Sequence, residues 1–456
     1  MNEGARAVRD ATEAYDEALT GATLESTVAT VAAARAAGCM PMWERLEALF
    51  LRPVFISEAG YAEVVRAALI VGRAMSIAAR RAMADPGFRG ALRLPDEYEY
   101  AISLDVAQRP ELIVGRLDGF VADDETVRFI EYNAFPAGIY EGDHFAELYD
   151  PLAAMDLLRK RFAVRRLSPL RLHDEAIRIA MSRLGVRRPP VVGVIELAEK
   201  SAAGARTEGL TAFAGAVAAR GIQVVVGPAD AFEYRRPTLF VQGVPVDFVV
   251  PSDFDEMMRM ISTRHPALAA FAEGAASFVG GFASSFLALA KALYATLSDP
   301  LYQGMFDAET IAELNRVVPW TRLVSDRRTI RDGKEIDLLD HVADQREGLV
   351  LKPCDGWGGK GVVLGWHATD EIWRATLERA KTHPHIVQER VRIPRAKSPY
   401  WDGERIAHAE HRWDFCPFVW NESWAGGALC RASSTEILNM GAGAGVDFPW
   451  FAVRPL

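Results

Sequence analysis

The sequence predicts a mixed α/β (α+β) protein of more than one domain, and three observations carry that prediction. Its 456 residues exceed what one hydrophobic core ordinarily serves. Apolar positions recur at helical spacing through its beginning, and beyond Tyr98 short β-branched and aromatic runs bounded by Gly, Pro, Asn and Asp take over. Half of the residues are hydrophobic (50%) and a quarter charged (25%), as in ordinary globular chains.

Charge and composition also exclude several function classes. A formal net charge of −9 speaks against a nucleic-acid partner, because phosphate backbones demand clustered Lys and Arg. A local basic site for a nucleotide stays compatible with it. Cys39, Cys354, Cys416 and Cys430 lack the paired spacing of a zinc knuckle or a disulfide framework. The charged opening from Met1 to Thr12 has no apolar signal core. The small-residue stretch from Gly274 to Ala290 is short, rich in Gly and Ser, and stops at Lys291, so it reads as a buried helix and not a membrane span. A cytoplasmic address without a membrane partner is expected.

Residues 1–95 read as a helical layer. Met42, Leu46, Leu49 and Phe50, and then Val64, Ala67, Leu69 and Val71, fall on helical faces, punctuated by Pro53 and Ala84-Asp85-Pro86-Gly87. Residues 96–186 form a second unit. Strand-like runs at Glu111–Gly115 and Thr126–Glu131 flank the turn Ala122-Asp123-Asp124 and predict a hairpin. Helices follow from His144 to Arg161 and from His173 to Leu184. Arg187-Arg188-Pro189-Pro190 marks a boundary, and residues 187–300 read as a small Rossmann-like parallel-sheet domain. Its pattern is strand Val191–Leu197, helix Glu208–Arg220 and strand Ile222–Val226, with two further strands about a Gly turn in Leu239–Asp247 and helices from Pro266 to Leu297. Leu197-Ala198-Glu199-Lys200-Ser201 lacks the glycine fingerprint of a dinucleotide site. Residues 301–456 make up the last unit.

The richest local signal is the glycine segment from Gly348 to Gly365. Gly356, Gly358 and Gly361 spell G-x-G-x-x-G, yet Val362-Val363-Leu364 continues as a strand where a dinucleotide loop opens a helix. A P-loop fails too, since Gly361 follows Lys360 where Ser or Thr is needed and Cys354 replaces the first Gly. A strand–loop–strand remains, whose N–H groups at Gly356, Gly358, Gly359, Lys360 and Gly361 can fold over a triphosphate. Lys352 can reach a phosphate as a point charge, and Asp355 can carry a Mg²⁺ ligand into the same space. The competing reading is a surface hairpin with a tight turn. His385–Val391 has strand composition; a backbone N–H and C=O on such a strand can read an adenine edge, or it is an ordinary core strand.

A second constellation lies far upstream. On the predicted hairpin Glu131 and Asn133 share one face, and Asp118 can join them as a hard oxygen site suited to Mg²⁺. Arg116 alternates with Asp118 and can offer its guanidinium to a phosphate. The plain alternative is a cross-strand ion pair of Glu131 with Arg116 or Arg128. His408 and His411 have a metal-like spacing but no third ligand, and read as structure.

Together the two constellations resemble the ATP-grasp superfamily, and more narrowly its circularly permuted branch of glutathione synthetase and glutathionylspermidine synthetase-like ligases. Arg116-Leu117-Asp118 and Glu131-Tyr132-Asn133 precede Lys352 and its loop, the inverted order of that branch, and the likeness runs from Glu97 to Leu456. The resemblance implies an ATP-grasp fold in circularly permuted order, with ATP and Mg²⁺ as cofactors. It implies an ADP-forming carboxylate–amine ligase making an amide or peptide bond through an acyl phosphate. Its partners would be small-molecule carboxylates and amines, amino acids or short peptides, and a homodimer is compatible. Carried over, Asp118, Glu131, Asn133 and Asp355 fall at the metal, Lys352 and Gly356–Gly361 on the phosphate grip, and Gln388, Glu389 and Val391 at the adenine hinge. Arg116, Lys352 and Arg431 are the catalytic candidates, with Asn439–Gly445 as a closing loop or a plain turn and Asp414 matching an acidic position of related ligases. Three departures stand out. Ser433 replaces a second lysine, Arg322 stands where another phosphate-gripping lysine is expected, and Ala134–Ile139 lacks the serines that would hold γ-glutamylcysteine. A small-molecule kinase and a non-catalytic ATP-binding protein are the alternatives.

Overall fold

In the computed structural model the described residues are 2–36, 49–104, 114–134, 139–183, 185–186, 188–196, 214–215, 217–219, 221–251, 254–278, 282–356, 358–438 and 445–456. Ile406–Trp420 organises the fold. This 15-residue strand pairs along one edge first with Arg395–Trp401 and then with Val114–Val121, and along its other edge with Trp424–Ser433. Val114–Val121 in turn pairs with Val127–Asn133, which is the predicted hairpin. The central antiparallel sheet thus sets residues from the first third of the chain beside residues from its last tenth.

One long helix, Glu58–Ala84, backs this sheet. Ser57 caps it by accepting from the N–H of Gly60 at 2.8 Å. Its buried face, including Val64, Ala67, Val71, Met75 and Ala78, packs against Ile406–Trp420 and Trp424–Ser433. Gly72 makes the approach close, since a Cβ there would lie 2.7 Å from Cγ1 of Val419. The start of the chain is not purely helical. Leu49–Phe50 extends the central sheet, and Val54–Ser57 pairs in parallel with Trp450–Pro455, which also pairs with Phe162–Arg165. Phe55 and Ile56 are buried by that pairing, which outweighs the local helical pattern.

A separate four-stranded antiparallel sheet joins Thr321–Leu323, His385–Glu389, Leu349–Pro353 and Val363–Leu364. It carries its own core of Val324, Leu338, Leu351, Trp373 and Val387. This lid sheet faces the hairpin. A third sheet is parallel: Ser277–Phe278, Phe248–Pro251, Val191–Ile195 and Gln223–Gly227 lie side by side, beside an antiparallel trio at residues 232–246. Of the helix expected at Glu208–Arg220 only residues 214–215 and 217–219 are described, and residues 197–201 and 111–113 lie outside the described residues.

The small-residue stretch is a buried helix only in its second part, since Ser277–Phe278 is drawn into the parallel sheet by pairing with Phe248–Val249. Phe282–Leu289 packs on Glu58–Ala84 and on Val127–Asn133, and every residue from Phe282 to Ala288 is buried. No described helix is long and apolar enough to cross a membrane.

Candidate functional site

The hairpin register places Arg116 opposite Asn133 and Asp118 opposite Glu131, so all four side chains emerge on one face. On Ile406–Trp420 and its neighbour, Asp414 stands opposite Arg431. The two pairs interlock. Arg116 donates from Nε to Oδ1 of Asp118 at 2.7 Å, and Arg431 donates from Nη2 to Oδ2 of Asp118 at 2.8 Å and to Oδ2 of Asp414 at 2.6 Å. Asp414 also accepts from the N–H of Arg431 at 2.9 Å, so its carboxylate fixes both backbone and guanidinium. Burial would raise the Asp118 carboxyl, but Arg116 and Arg431 hold it well below the usual carboxylate range. For Asp414 burial outweighs Arg431 and its pKa lies above the usual value.

Two lysines enter from other elements. Lys352, on the lid strand Leu349–Pro353, is buried; its Nζ donates to Oε1 of Gln388 at 2.8 Å and to the carbonyl of Ile130 at 3.3 Å. Burial lowers its pKa to about 8, with Lys291 adding to the fall while Glu131 and Asp118 oppose it. Lys291 opens the short helix that follows the buried stretch. Its Nζ lies 2.9 Å from Oε1 of Glu131 and donates to the carbonyl of Gly356, tying the glycine loop to the hairpin. In that loop Gly358, Gly359 and Gly361 have φ of 67°, 75° and 73°, a backbone that L side chains rarely adopt.

One pocket of about 230 Å³ gathers these groups, with Asn133 and Lys360 beside them. Val350, Val362, Leu364, Val391, Ile393 and Leu438 give the same pocket an apolar slot, and Trp366 and Glu436 line it too. The side chain of Gln388 is engaged within the protein: its Oε1 accepts from Lys352 Nζ, and its Nε2 donates to Ile130 O at 3.2 Å and to Thr321 Oγ1 at 3.0 Å. Glu389 pairs with Arg128 and Arg331, and the chain leaves the sheet beyond Arg390, whose N–H donates to Gly348 at 2.7 Å.

Of the expected site residues, Arg116, Asp118, Glu131, Asn133, Lys352, Gly356, Gly358, Gly359, Lys360, Gln388, Glu389, Val391, Asp414 and Arg431 line this pocket. Gly361 belongs to the loop without lining it. Two candidates, Asp355 and Arg322, lie elsewhere, as does Ser433, which stands in place of a family lysine. Asp355 is exposed and outside the pocket lining. Ser433 is buried and bonds Thr435. Arg322 is buried away from the pocket, donating to the carbonyls of Ser298, Thr321 and Ile330 at 2.8, 2.7 and 3.0 Å, where it staples the lid edge. His411 is packed between Phe50 and Phe448, as structure. Residues 439–444 and 135–138, which include most of the expected closing loop and of the segment after Asn133, lie outside the described residues. The residue that sequence reasoning missed is Lys291. Its signal was a lone charge ending an apolar run, which demands a buried counter-charge.

The donor set fits a nucleotide: ammonium groups and loop N–H groups together with an apolar slot. For a divalent cation, Asn133 offers Oδ1 and Glu131 a carboxylate whose Oε1 lies 2.9 Å from Lys291 Nζ; Nδ2 of Asn133, buried without a partner among the described residues, is a donor and suits a phosphate oxygen. Both oxygens of Asp118 are engaged by guanidiniums. No group of three or more His, Cys, Asp or Glu gathers as a metal site among the described residues. The set therefore suits Mg²⁺ only where phosphate oxygens complete the coordination.

Among solved structures, a glutathione synthetase-like effector from Globodera pallida in its apo form matches across 99% of this chain and 98% of its own, with a TM-score of 0.57 and 12% identity. The chain shares the mixed α/β fold of that glutathione synthetase-like structure. In sequence, 69 residues are 38% identical to a putative glutamate–cysteine ligase 2-2 of Frankia casuarinae, a match spanning 15% of this chain and 8% of that protein. A putative γ-glutamylcysteine synthetase from Methylobacillus flagellatus aligns over 83% of this chain and 88% of its own at 11% identity, with a TM-score of 0.45. No family model matches the sequence. In this fold the sheet that carries Lys352 and the hairpin that carries Glu131 both line the pocket that holds the lysines.

Proposed function

We propose that the protein is an ATP-dependent, ADP-forming carboxylate–amine ligase acting on amino acids or short peptides. The observation that carries this reading is the meeting of Lys352 and Lys291, from different elements, beside the buried Arg116–Asp118–Arg431–Asp414 network. One end of the pocket can grip transferring phosphate; the network next to it offers guanidiniums to an acyl group.

In the proposed reaction the substrate carboxylate attacks the γ-phosphorus and ADP leaves. The amine then attacks the acyl carbon and expels phosphate, forming the amide. Little covalent work falls to the protein, so positioning and charge neutralisation carry catalysis. Lys352 and Lys291 place ammonium groups at the β- and γ-phosphates. Loop N–H groups from Gly356 to Gly361 cover them and exclude water, which would hydrolyse an acyl phosphate. Mg²⁺, held by Glu131 and Asn133 together with phosphate oxygens, would supply further neutralisation. Arg116 and Arg431, oriented by Asp118 and Asp414, bind the carboxylate and steady the developing charge. The apolar slot at Val350, Leu364 and Val391 accepts the base. The segment after Asn133 lacks serines, which argues for a donor other than γ-glutamylcysteine.

The test is to screen amino acids and short peptides for ADP and phosphate release with mass spectrometry of the product. Release that requires both a carboxylate and an amine, with a condensed mass, supports the reading. Phosphoester formation on a hydroxyl makes the protein a kinase, and binding without turnover makes it a nucleotide-binding protein.

A further inference from the structure

We propose that an arginine-lined cleft on the seam between the lid and central sheets is an anion site, separate from the lysine grip, for a small ligand bearing adjacent carboxylate or phosphate groups. The cleft, about 610 Å³, is lined by Arg390, Arg392, Arg395 and Arg412 against two acids, Asp123 and Glu436. In a chain of net charge −9 this concentration of guanidiniums runs against the average, and a concave wall focuses its field.

Two of the four charges are already met. Arg395 pairs with Glu410 at 2.8 Å, and Arg412 with Glu436 at 3.3 Å. Arg390 and Arg392 are exposed and form no ion pair among the described residues. Arg390 is nonetheless ordered: its guanidinium lies 4.0 Å from the centre of the Trp366 ring. Stacking uses the flat face and leaves the N–H edges free for a planar anion. Trp366 is itself fixed, donating from Nε1 to Glu436 at 2.6 Å. Pre-ordering of this kind lowers the entropy lost on binding.

The cleft shares Trp366, Val391, Ile393 and Glu436 with the nucleotide pocket but none of its lysines. It therefore adjoins the apolar slot, away from the phosphate grip. An anion here is not the triphosphate held at Lys352. Arg390 and Arg392 lie two positions apart at the exit of the lid strand, so a ligand with two neighbouring anionic groups matches both.

Calorimetric titration of citrate and of tripolyphosphate tests this, using the full chain carrying Lys352→Met to weaken the triphosphate grip. At least one probe is expected to bind with one-to-one stoichiometry, and Arg390→Gln with Arg392→Gln to weaken it by about tenfold or more. Arg392→Gln alone, at an exposed position, is expected to weaken it by about threefold and guards against a folding defect. Binding of citrate only identifies a polycarboxylate ligand, and of tripolyphosphate only a phosphorylated one. No binding of either probe, or equal binding after both substitutions, overturns the proposal. Each titration is run without ATP or an amine, so this outcome is independent of whether the proposed ligase turns over.

Discussion

If the proposed function holds, Lys352 makes nucleotide binding titratable in an accessible range. Its folded pKa of about 8 lies below the 10.5 of a free lysine because burial penalises the ammonium. The sign follows directly. Below about pH 8 both folded and unfolded chains carry the proton, and the apo fold bears the cost of a buried charge. Between about pH 8 and 10.5 only the unfolded chain holds it, so this group's contribution makes the apo fold more stable as pH rises. At about 1.4 kcal/mol per unit, the full effect is about 3 kcal/mol. A triphosphate needs the ammonium form, so binding runs the other way. With a pKa of about 8 the charged fraction falls from roughly 0.9 at pH 7 to roughly 0.1 at pH 9, and affinity for a non-hydrolysable ATP analogue falls about tenfold over that interval. Calorimetric titration with Mg²⁺ present, repeated across these pH values, reads the slope. Lys352→Met should bind weakly at every pH without that slope. A parent affinity that is flat between pH 7 and 9, or a slope that survives in Lys352→Met, refutes the reasoning.

Other perturbations separate structural from ligand-binding roles. Asp118→Asn leaves Arg116 and Arg431 without their shared carboxylate and should cost about 3–5 kcal/mol in urea unfolding; a loss below about 1 kcal/mol contradicts the network. Because the Asp118 pKa is depressed in the fold, its contribution is complete above about pH 4 and disappears as acid protonates it. Lys291→Met should weaken nucleotide binding by roughly ten- to a hundredfold, the worth of a hydrogen bond to a charged group, and unchanged affinity would remove Lys291 from the grip. Arg322→Met should cost about 3 kcal/mol or more of stability because three carbonyls lose their donor, while the folded protein binds nucleotide as before. A changed dissociation constant at unchanged melting temperature would return Arg322 to the site.

What the sequence made legible was whatever period and turn chemistry decide locally. The alternation Arg116-x-Asp118 and Glu131-x-Asn133 set one face of a hairpin before any partner was known, and the register confirms that face. The glycine loop was readable because Lys352, its strand and the returning Val363–Leu364 are neighbours in sequence. Arg322 and Lys291 show the boundary of such reading. Each is a single cation near an element end, and only packing decides which enters the pocket. Arg322 stacks its guanidinium 4.8 Å from the Trp320 ring centre among carbonyls, while Lys291 is carried to Glu131 by a buried helix. The strand Val54–Ser57 was hidden for the same reason, since its partner Trp450–Pro455 stands at the opposite end of the chain.

Ile406–Trp420 therefore has a consequence for how the protein is made. Synthesis delivers Val114–Val121 long before the strand that completes its sheet. Until then the hairpin presents an unpaired edge, which invites pairing with other chains, and the Arg116–Asp118 pair lacks its Arg431 counterpart. Nascent chains stalled before Ile406 should hold no nucleotide and should depend on chaperones for solubility. The pocket cannot close its arginine–aspartate network until Arg431 has been made.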